Sequence, residues 1–175
     1  KADEKWSVSR DPSCVPVLKD APEKHVCVDG VKDAERGAAL SLEGRYIQLP
    51  FHGAFMAANA LLAIAVGRAL GIPLATCESA LENMEPIPGR VEMFKTKTGT
   101  TVIIDYAHEP RSFEAILALG RSLAKKNRVI SVFGATGGGR DRAKRPVMGK
   151  LAAEYSDAII LTTDDPYDDD PLSIA

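Results

Sequence analysis

The chain has 175 residues, 45% of them apolar and 26% charged, enough to bury a core without disulfide staples and too apolar for a disordered tail. Lysine and arginine number 22 against 24 aspartates and glutamates, a formal charge of -2, so no global basic excess argues for a nucleic-acid partner or an anionic membrane surface. Three cysteines, Cys14, Cys27 and Cys77, form no CxxC pair, and their odd number suits inert thiols in a reducing cytoplasm better than a closed disulfide set.

Residues 1 to about 25 are polar and broken by Pro12, Pro16 and Pro22, which predicts loop or short edge strands. Nothing there has the basic, apolar, small-residue order of a signal peptide. Between His25 and Leu49, runs such as His25-Val26-Cys27-Val28 and Ala39-Leu40-Ser41-Leu42 lie between Gly30, Gly37 and Gly44, and predict antiparallel strands and hairpins. Residues 54 to 70 are apolar on nearly every face, a helix buried on most sides and ended by Gly71 and Pro73. Its longest apolar stretch, Ala57 to Val66, is too short to span a bilayer. A second helix is expected from Leu74 to Met84, stopped by Pro86 and Pro88. The segment Pro86-Ile87-Pro88-Gly89-Arg90 interrupts both helix and sheet, and marks a boundary between 1–88 and 89–175.

Beyond that boundary the pattern alternates: a strand at Thr101 to Asp105, an amphipathic helix at Arg111 to Lys126, a strand at Val129 to Phe133, a helix at Pro146 to Tyr155 and a strand at Ala158 to Thr162. This order predicts a parallel α/β sheet. The chain opens on Lys1 rather than methionine and stops at Ala175, just after Pro171-Leu172-Ser173-Ile174, the opening of a helix. We therefore expect a slice through a longer protein, with interior surface exposed and marginal solubility in isolation.

Ligands of such sheets bind at the carboxyl ends of the strands, and each of these strand ends carries polar residues. The first cluster is Asp105-Tyr106-Ala107-His108-Glu109-Pro110. The second is Gly134-Ala135-Thr136-Gly137-Gly138-Gly139-Arg140-Asp141, followed by Lys144-Arg145-Pro146. The third runs from Thr162 through Asp164-Asp165-Pro166-Tyr167-Asp168-Asp169-Asp170. Asp105 also reads as a helix-capping turn carboxylate and His108 as a surface histidine. The glycine run lacks both GxGxxG and GxxxxGK[ST] spacing. Arg140, Arg142, Lys144 and Arg145 form either a solvated basic face or a holder of carboxylate or phosphate. The aspartates lack EF-hand order. His25 and His52 have no ligand-spaced companions and read as structural.

In their order these motifs resemble the Mur ligases, and within them the UDP-N-acetylmuramoyl-tripeptide synthetase branch. Gly89-Arg90-Val91-Glu92 is similar to the family's GRxE. Asp105-Tyr106-Ala107-His108-x-Pro110 is similar to DYAHxP, and Gly139-Arg140-Asp141-x-x-Lys144-Arg145-Pro146-x-Met148-Gly149 to GDRDxxKRPxMG. Asp164-Asp165-Pro166 is similar to DNPR, and Gly53-Ala54-Phe55-Met56-Ala57-Ala58-Asn59-Ala60 to G-x-FNxxNxxAA. The resemblance covers about residues 35 to 175. It implies the C-terminal part of a central ATPase domain over 1–88, then an incomplete Rossmann-like parallel α/β ligase domain over 89–175 that binds the incoming amino acid.

The implied activity is ATP-dependent amide-bond formation in peptidoglycan synthesis. ATP and Mg²⁺ activate the carboxylate of a UDP-N-acetylmuramoyl-dipeptide as an acyl phosphate, and an amino acid attacks it. By resemblance, Asn59 contacts the adenine, Arg90 reaches the ATP phosphates, and Asp105 bonds the ribose with His108 nearby. Arg140 binds the carboxylate of the incoming amino acid, and Asp165 and Tyr167 stand where the family's Asn and Arg read it. The chain departs from the pattern at Met56, where the first helix asparagine is expected, at Gly139, which replaces an aspartate, and at Tyr167, which replaces an arginine. The last change removes a bidentate carboxylate partner. Among clustered aspartates it favours lysine or another basic amino acid over meso-diaminopimelate. No P-loop occurs, so the metal ligands lie mostly outside, no catalytic residue is assigned here, and the chain alone is not expected to turn over. A folylpolyglutamate- or cyanophycin-synthetase-like ligase, or a non-catalytic nucleotide or amino-acid binding module, remain the alternatives.

Overall fold

The computed structural model describes residues 37–175 in full, together with the backbone of Lys5–Ser9, Glu23–Cys27 and Gly30–Ala34. The chain divides into two compact units, Lys1–Pro88 and Gly89–Ala175.

In the first unit, β1 (Lys5–Ser9) pairs in parallel with β2 (Glu23–Cys27). The run beginning at His25 is therefore not in a hairpin; its ladder partner is an earlier strand. The antiparallel expectation holds one strand later, where β3 (Gly30–Ala34), β4 (Gly37–Leu42) and β5 (Arg45–Gln48) form a meander. The meander supports α1 (Ala54–Ala69) and α2 (Leu74–Glu82). Leu40, Leu42, Ile47 and Leu49 from the sheet pack with Ala57, Leu61 and Ile64 of α1. These positions repeat at three and four residues along the helix, so one stripe is buried. The opposite stripe, Leu62, Val66 and Leu70, is 56–75% exposed. The expectation that α1 is buried on most sides is thus corrected. An all-apolar helix fixes no facing direction by itself, and among the described residues a layer covers only one side. His52 is half-buried and Cys77 is a free thiol; His25 and the side chains of Cys14 and Cys27 lie outside the described residues.

In the second unit, β6 (Glu92–Lys95) and β7 (Thr101–Ile104) form an antiparallel hairpin. Its turn is closed by the Thr96 N–H donating to Thr100 O at 2.9 Å. α3 (Pro110–Ala124) leads to β8 (Ile130–Phe133), then α4 (Lys144–Tyr155), β9 (Ala158–Leu161) and a last turn, α5 (Pro171–Ile174). β8 and β9 pair in parallel. Strand, helix and strand in this order make the α/β architecture of the second unit. One detail differs from the sequence reading: Thr101–Ile104 is hydrogen-bonded to β6 and not within a three-stranded parallel ladder. A strand followed within a few residues by a turn and a second strand finds its partner locally.

The core of this unit is Phe113 and Leu117 of α3 against Met148 and Ala152 of α4. The Phe113 and Phe133 rings are tilted at a centroid distance of 4.7 Å. Arg121 fastens the far end: its guanidinium donates to Tyr155 O at 2.8 and 3.0 Å and to Asp157 at 2.8 Å.

Candidate functional site

Two loops meet beside the hairpin. Residues 89–91 lead into β6 and residues 105–109 lead out of β7, and the pairing of those strands brings their outer ends together. Asp105 braces the junction: Oδ2 accepts the Val91 N–H at 2.9 Å and Oδ1 the Ala107 N–H at 2.8 Å. The Tyr106 N–H donates to Gly89 O at 3.0 Å, and the Gly89 N–H to the Glu92 carboxylate at 3.0 Å. Val91 is buried and held at φ +50°, a conformation that costs a β-branched residue about 1–3 kcal/mol and persists only where surrounding bonds over-determine it. Gly89 has φ +69°, and a Cβ there would lie 2.2 Å from Tyr106 Cε2, so the close approach of the ring requires glycine.

The Arg90 guanidinium lies 5.5 Å from the centroid of the exposed Tyr106 ring. His108 Nδ1 is 2.9 Å from Tyr106 O, and its Nε2 is 3.8 Å from Glu109. The helix that follows is not capped by Asp105. Glu109 is its N-cap, with its N–H donating to Ser112 Oγ at 3.3 Å and Pro110 in the first helical position.

A second pair of loops, 134–141 after β8 and 162–170 after β9, closes on itself through glycine. A Cβ on Gly137 would lie 2.1 Å from Pro166 O. The Gly137 N–H donates to Asp165 O at 3.1 Å, and the Tyr167 ring lies against Gly138. Gly134, Gly137 and Gly138 are therefore a packing surface for residues 162–167, while Gly139 is open. Charges pair across the loops. Arg142 is 3.5 Å and Arg145 3.8 Å from Asp169. The Thr136 hydroxyl donates to Asp164 at 3.3 Å, and Asp170 accepts the Leu172 N–H at the start of α5. Arg140, Asp165 and Asp168 are exposed and have no side-chain hydrogen bond or ion pair among the described residues. Lys144 ties the two loop pairs together, its Nζ donating to the Glu109 carboxylate at 2.8 Å while only 11% exposed. A cavity of about 400 Å³ lies at the carboxyl ends of β8 and β9, lined by Phe133, Arg142, Arg145, Met148, Asp164 and Ile174. Among the described residues no group of three or more His, Cys, Asp or Glu side chains is placed to hold a metal ion, and no helix is long and apolar enough to cross a membrane.

Residues 89–175 match the family described as Mur ligase, glutamate ligase domain. The chain carries a Mur ligase C-terminal domain. It is 45% identical over 128 residues to the UDP-N-acetylmuramoyl-L-alanyl-D-glutamate--2,6-diaminopimelate ligase of Syntrophomonas wolfei, covering 73% of this chain and 26% of that one. That stretch is longer than the second unit, so the similarity reaches back into the first. The fold is similar to that of MurF from Acinetobacter baumannii, with a TM-score of 0.67 at 24% identity over 79% of this chain and 32% of the other. It is also similar to Mycobacterium tuberculosis folylpolyglutamate synthase solved with ADP, with a TM-score of 0.60 at 25% identity over 77% of this chain and 31% of that one. The chain spans about a quarter to a third of the length of the curated relatives it matches.

Within the Mur ligase domain the structure brings Arg90, Asp105 and His108 to one junction and Arg140, Asp165 and Tyr167 to the other. Asn59 belongs to the first unit; it is exposed on α1, with Nδ2 3.9 Å from Met56 Sδ. Asp105 is more committed than a free ligand contact, since each oxygen already accepts a backbone N–H. The sequence assigns no role to Tyr106 or Glu109, and it offers Lys144 only as part of a basic face or anion holder, whereas Lys144 is paired with Glu109. Their signals were present, as an aromatic beside the motif aspartate and a lysine in the KRP run, but pairings across 17 and 35 residues cannot be read from spacing.

Proposed function

We propose that this chain is the C-terminal part of an ATP-dependent amide ligase that adds an amino acid to a UDP-N-acetylmuramoyl-dipeptide in cytoplasmic peptidoglycan synthesis. On this reading residues 1–88 end the central ATPase domain and residues 89–175 are an incomplete amino-acid-binding domain. The observation that carries it is the pair of loop junctions joined by Lys144 and Glu109, each presenting an arginine with no carboxylate partner, Arg90 at one and Arg140 at the other. An unpaired guanidinium is a natural seat for phosphate or carboxylate. Arg90 serves the ATP phosphates, with Asp105 and His108 toward the ribose, and Arg140 serves the amino-acid carboxylate. A carboxylate is a poor electrophile until phosphorylation gives it a leaving group, and cations offset the charge that develops. Mg²⁺ would supply part of that charge when bound. No cluster among the described residues fits it, so no step is assigned to it here.

For the added amino acid, the relatives' names specify 2,6-diaminopimelate. We infer a lysine-like substrate from Tyr167, which offers no cation to a distal carboxylate, and from Asp165 and Asp168, which keep free carboxylates. The inference is narrower than composition suggests, because Asp169 is paired with arginines and Asp170 caps α5.

The test is product formation by the full-length ligase carrying this chain, given ATP, the UDP-dipeptide, and lysine and meso-diaminopimelate in competition. Phosphate release and amide product that need all three substrates, with the lysyl product in excess, are expected. No release with either amino acid contradicts the ligase reading, whereas excess diaminopimelate product contradicts only the specificity.

A further inference from the structure

We propose that Tyr106 is a positioning residue that holds Arg90 in its working direction. The proposal rests on the reading of Arg90 as a phosphate contact.

Three observations converge on it. Tyr106 is large, 67% exposed, and its hydroxyl makes no hydrogen bond among the described residues; it adds little to a core and anchors nothing through its polar end. Its ring instead occupies the space a side chain at residue 89 would fill, with Cε2, Cδ2 and Cζ all within 3.2 Å of where a Cβ would stand. On that ring lies the guanidinium of the next residue, Arg90.

The surrounding backbone is fixed more firmly than an ordinary surface loop. The Tyr106 N–H is tied to Gly89 O, and Asp105 ties Val91 to Ala107. Arg90 therefore projects from a segment clamped on both sides, one neighbour a glycine and the other a valine in a strained conformation. Clamping fixes the root of the side chain and leaves its rotatable bonds free. An arginine carries about 2 kcal/mol of rotamer entropy, and a phosphate contact made from a disordered side chain has to order it on binding. An aromatic face restricts that freedom beforehand without neutralising the cation, as a carboxylate partner would. A guanidinium over an aromatic face also keeps its N–H donors available to an anion.

The experiment has two arms. In NMR spectra of this chain, the Arg90 side-chain protons should show an upfield ring-current shift that Tyr106→Phe preserves and Tyr106→Leu abolishes. In the full-length ligase, Tyr106→Leu should raise the KM for ATP about two- to fivefold, the scale of an exposed cation–π contact, with kcat nearly unchanged, and Tyr106→Phe should restore the wild-type KM. Arg90→Ala should raise the same KM by more. Absence of the ring-current shift overturns the proposal. So does an unchanged KM in Tyr106→Leu beside a raised one in Arg90→Ala, which leaves the nucleotide reading intact. An unchanged KM in Arg90→Ala overturns the nucleotide reading and this proposal with it.

Discussion

Asp105, proposed above as a nucleotide contact, is a structural brace in its own right. Its two oxygens hold the N–H groups of Val91 and Ala107. Asp105→Ala should therefore destabilise the second unit by about 1–3 kcal/mol, the cost of leaving a partly buried donor unpaired, read as a lower urea midpoint at unchanged slope. That brace was not legible in the sequence, because it depends on hairpin pairing that sets Val91 beside a residue 14 positions away. At the opposite end of the unit, the Val129 N–H and then Arg121 hold the Asp157 carboxyl below its ordinary pKa. A group depressed in the folded state stabilises fully above its unfolded pKa, and that contribution is lost as pH falls through the folded one. Asp157→Asn should thus lower the Tm at neutral pH, and the gap from wild type should close on acidification below about pH 4. A pH series of melting curves checks both the gap and its closure.

At the scale of elements, the α3–α4 core concentrates its stability in few side chains. Phe113 is 5% exposed and packs on Phe133, Leu117 and Met148. Phe113→Ala should cost about 3–5 kcal/mol, measured by denaturant unfolding of the unit's signal. Much of this level was legible. The apolar spacing of residues 111 to 126 gave α3 nearly to its ends, and Gly71 and Pro73 placed the break between α1 and α2. The missed strand, Glu92–Lys95, has the polar ends and apolar centre of a short edge, too brief for periodicity to register. The packing at the glycine run was not legible for a related reason. Gly134, Gly137 and Gly138 are small because residues 162–167 sit on them, and sequence shows the small residue without the neighbour that requires it.

The near-neutral total charge of the whole molecule conceals an internal arrangement. The basic residues after β8 face the acidic ones after β9, and Arg142 and Arg145 meet there at Asp169. Apolar surface is equally unevenly spread. Leu62, Val66 and Leu70 line one side of α1 in the first unit, and Ile130, Val132 and Ile160 stand exposed on the β8–β9 ladder of the second. Parallel ladders are ordinarily covered on both faces, and exposed patches of this kind promote association. Sedimentation of the isolated chain should show concentration-dependent association that Leu62→Lys with Val66→Lys reduces; a monodisperse wild-type monomer would contradict this.

On the proposed function the second unit carries two separate anion seats, Arg90 for the nucleotide and Arg140 for the amino acid. Steady-state kinetics of the full-length ligase with each arginine replaced by alanine distinguishes them. Arg140→Ala should raise the KM for the amino acid at least tenfold, the loss of a charge-assisted pair worth about 1.5–3 kcal/mol, and leave the KM for ATP nearly unchanged, with Arg90→Ala doing the reverse. Equal effects of both variants on both substrates, or none on either, would contradict it.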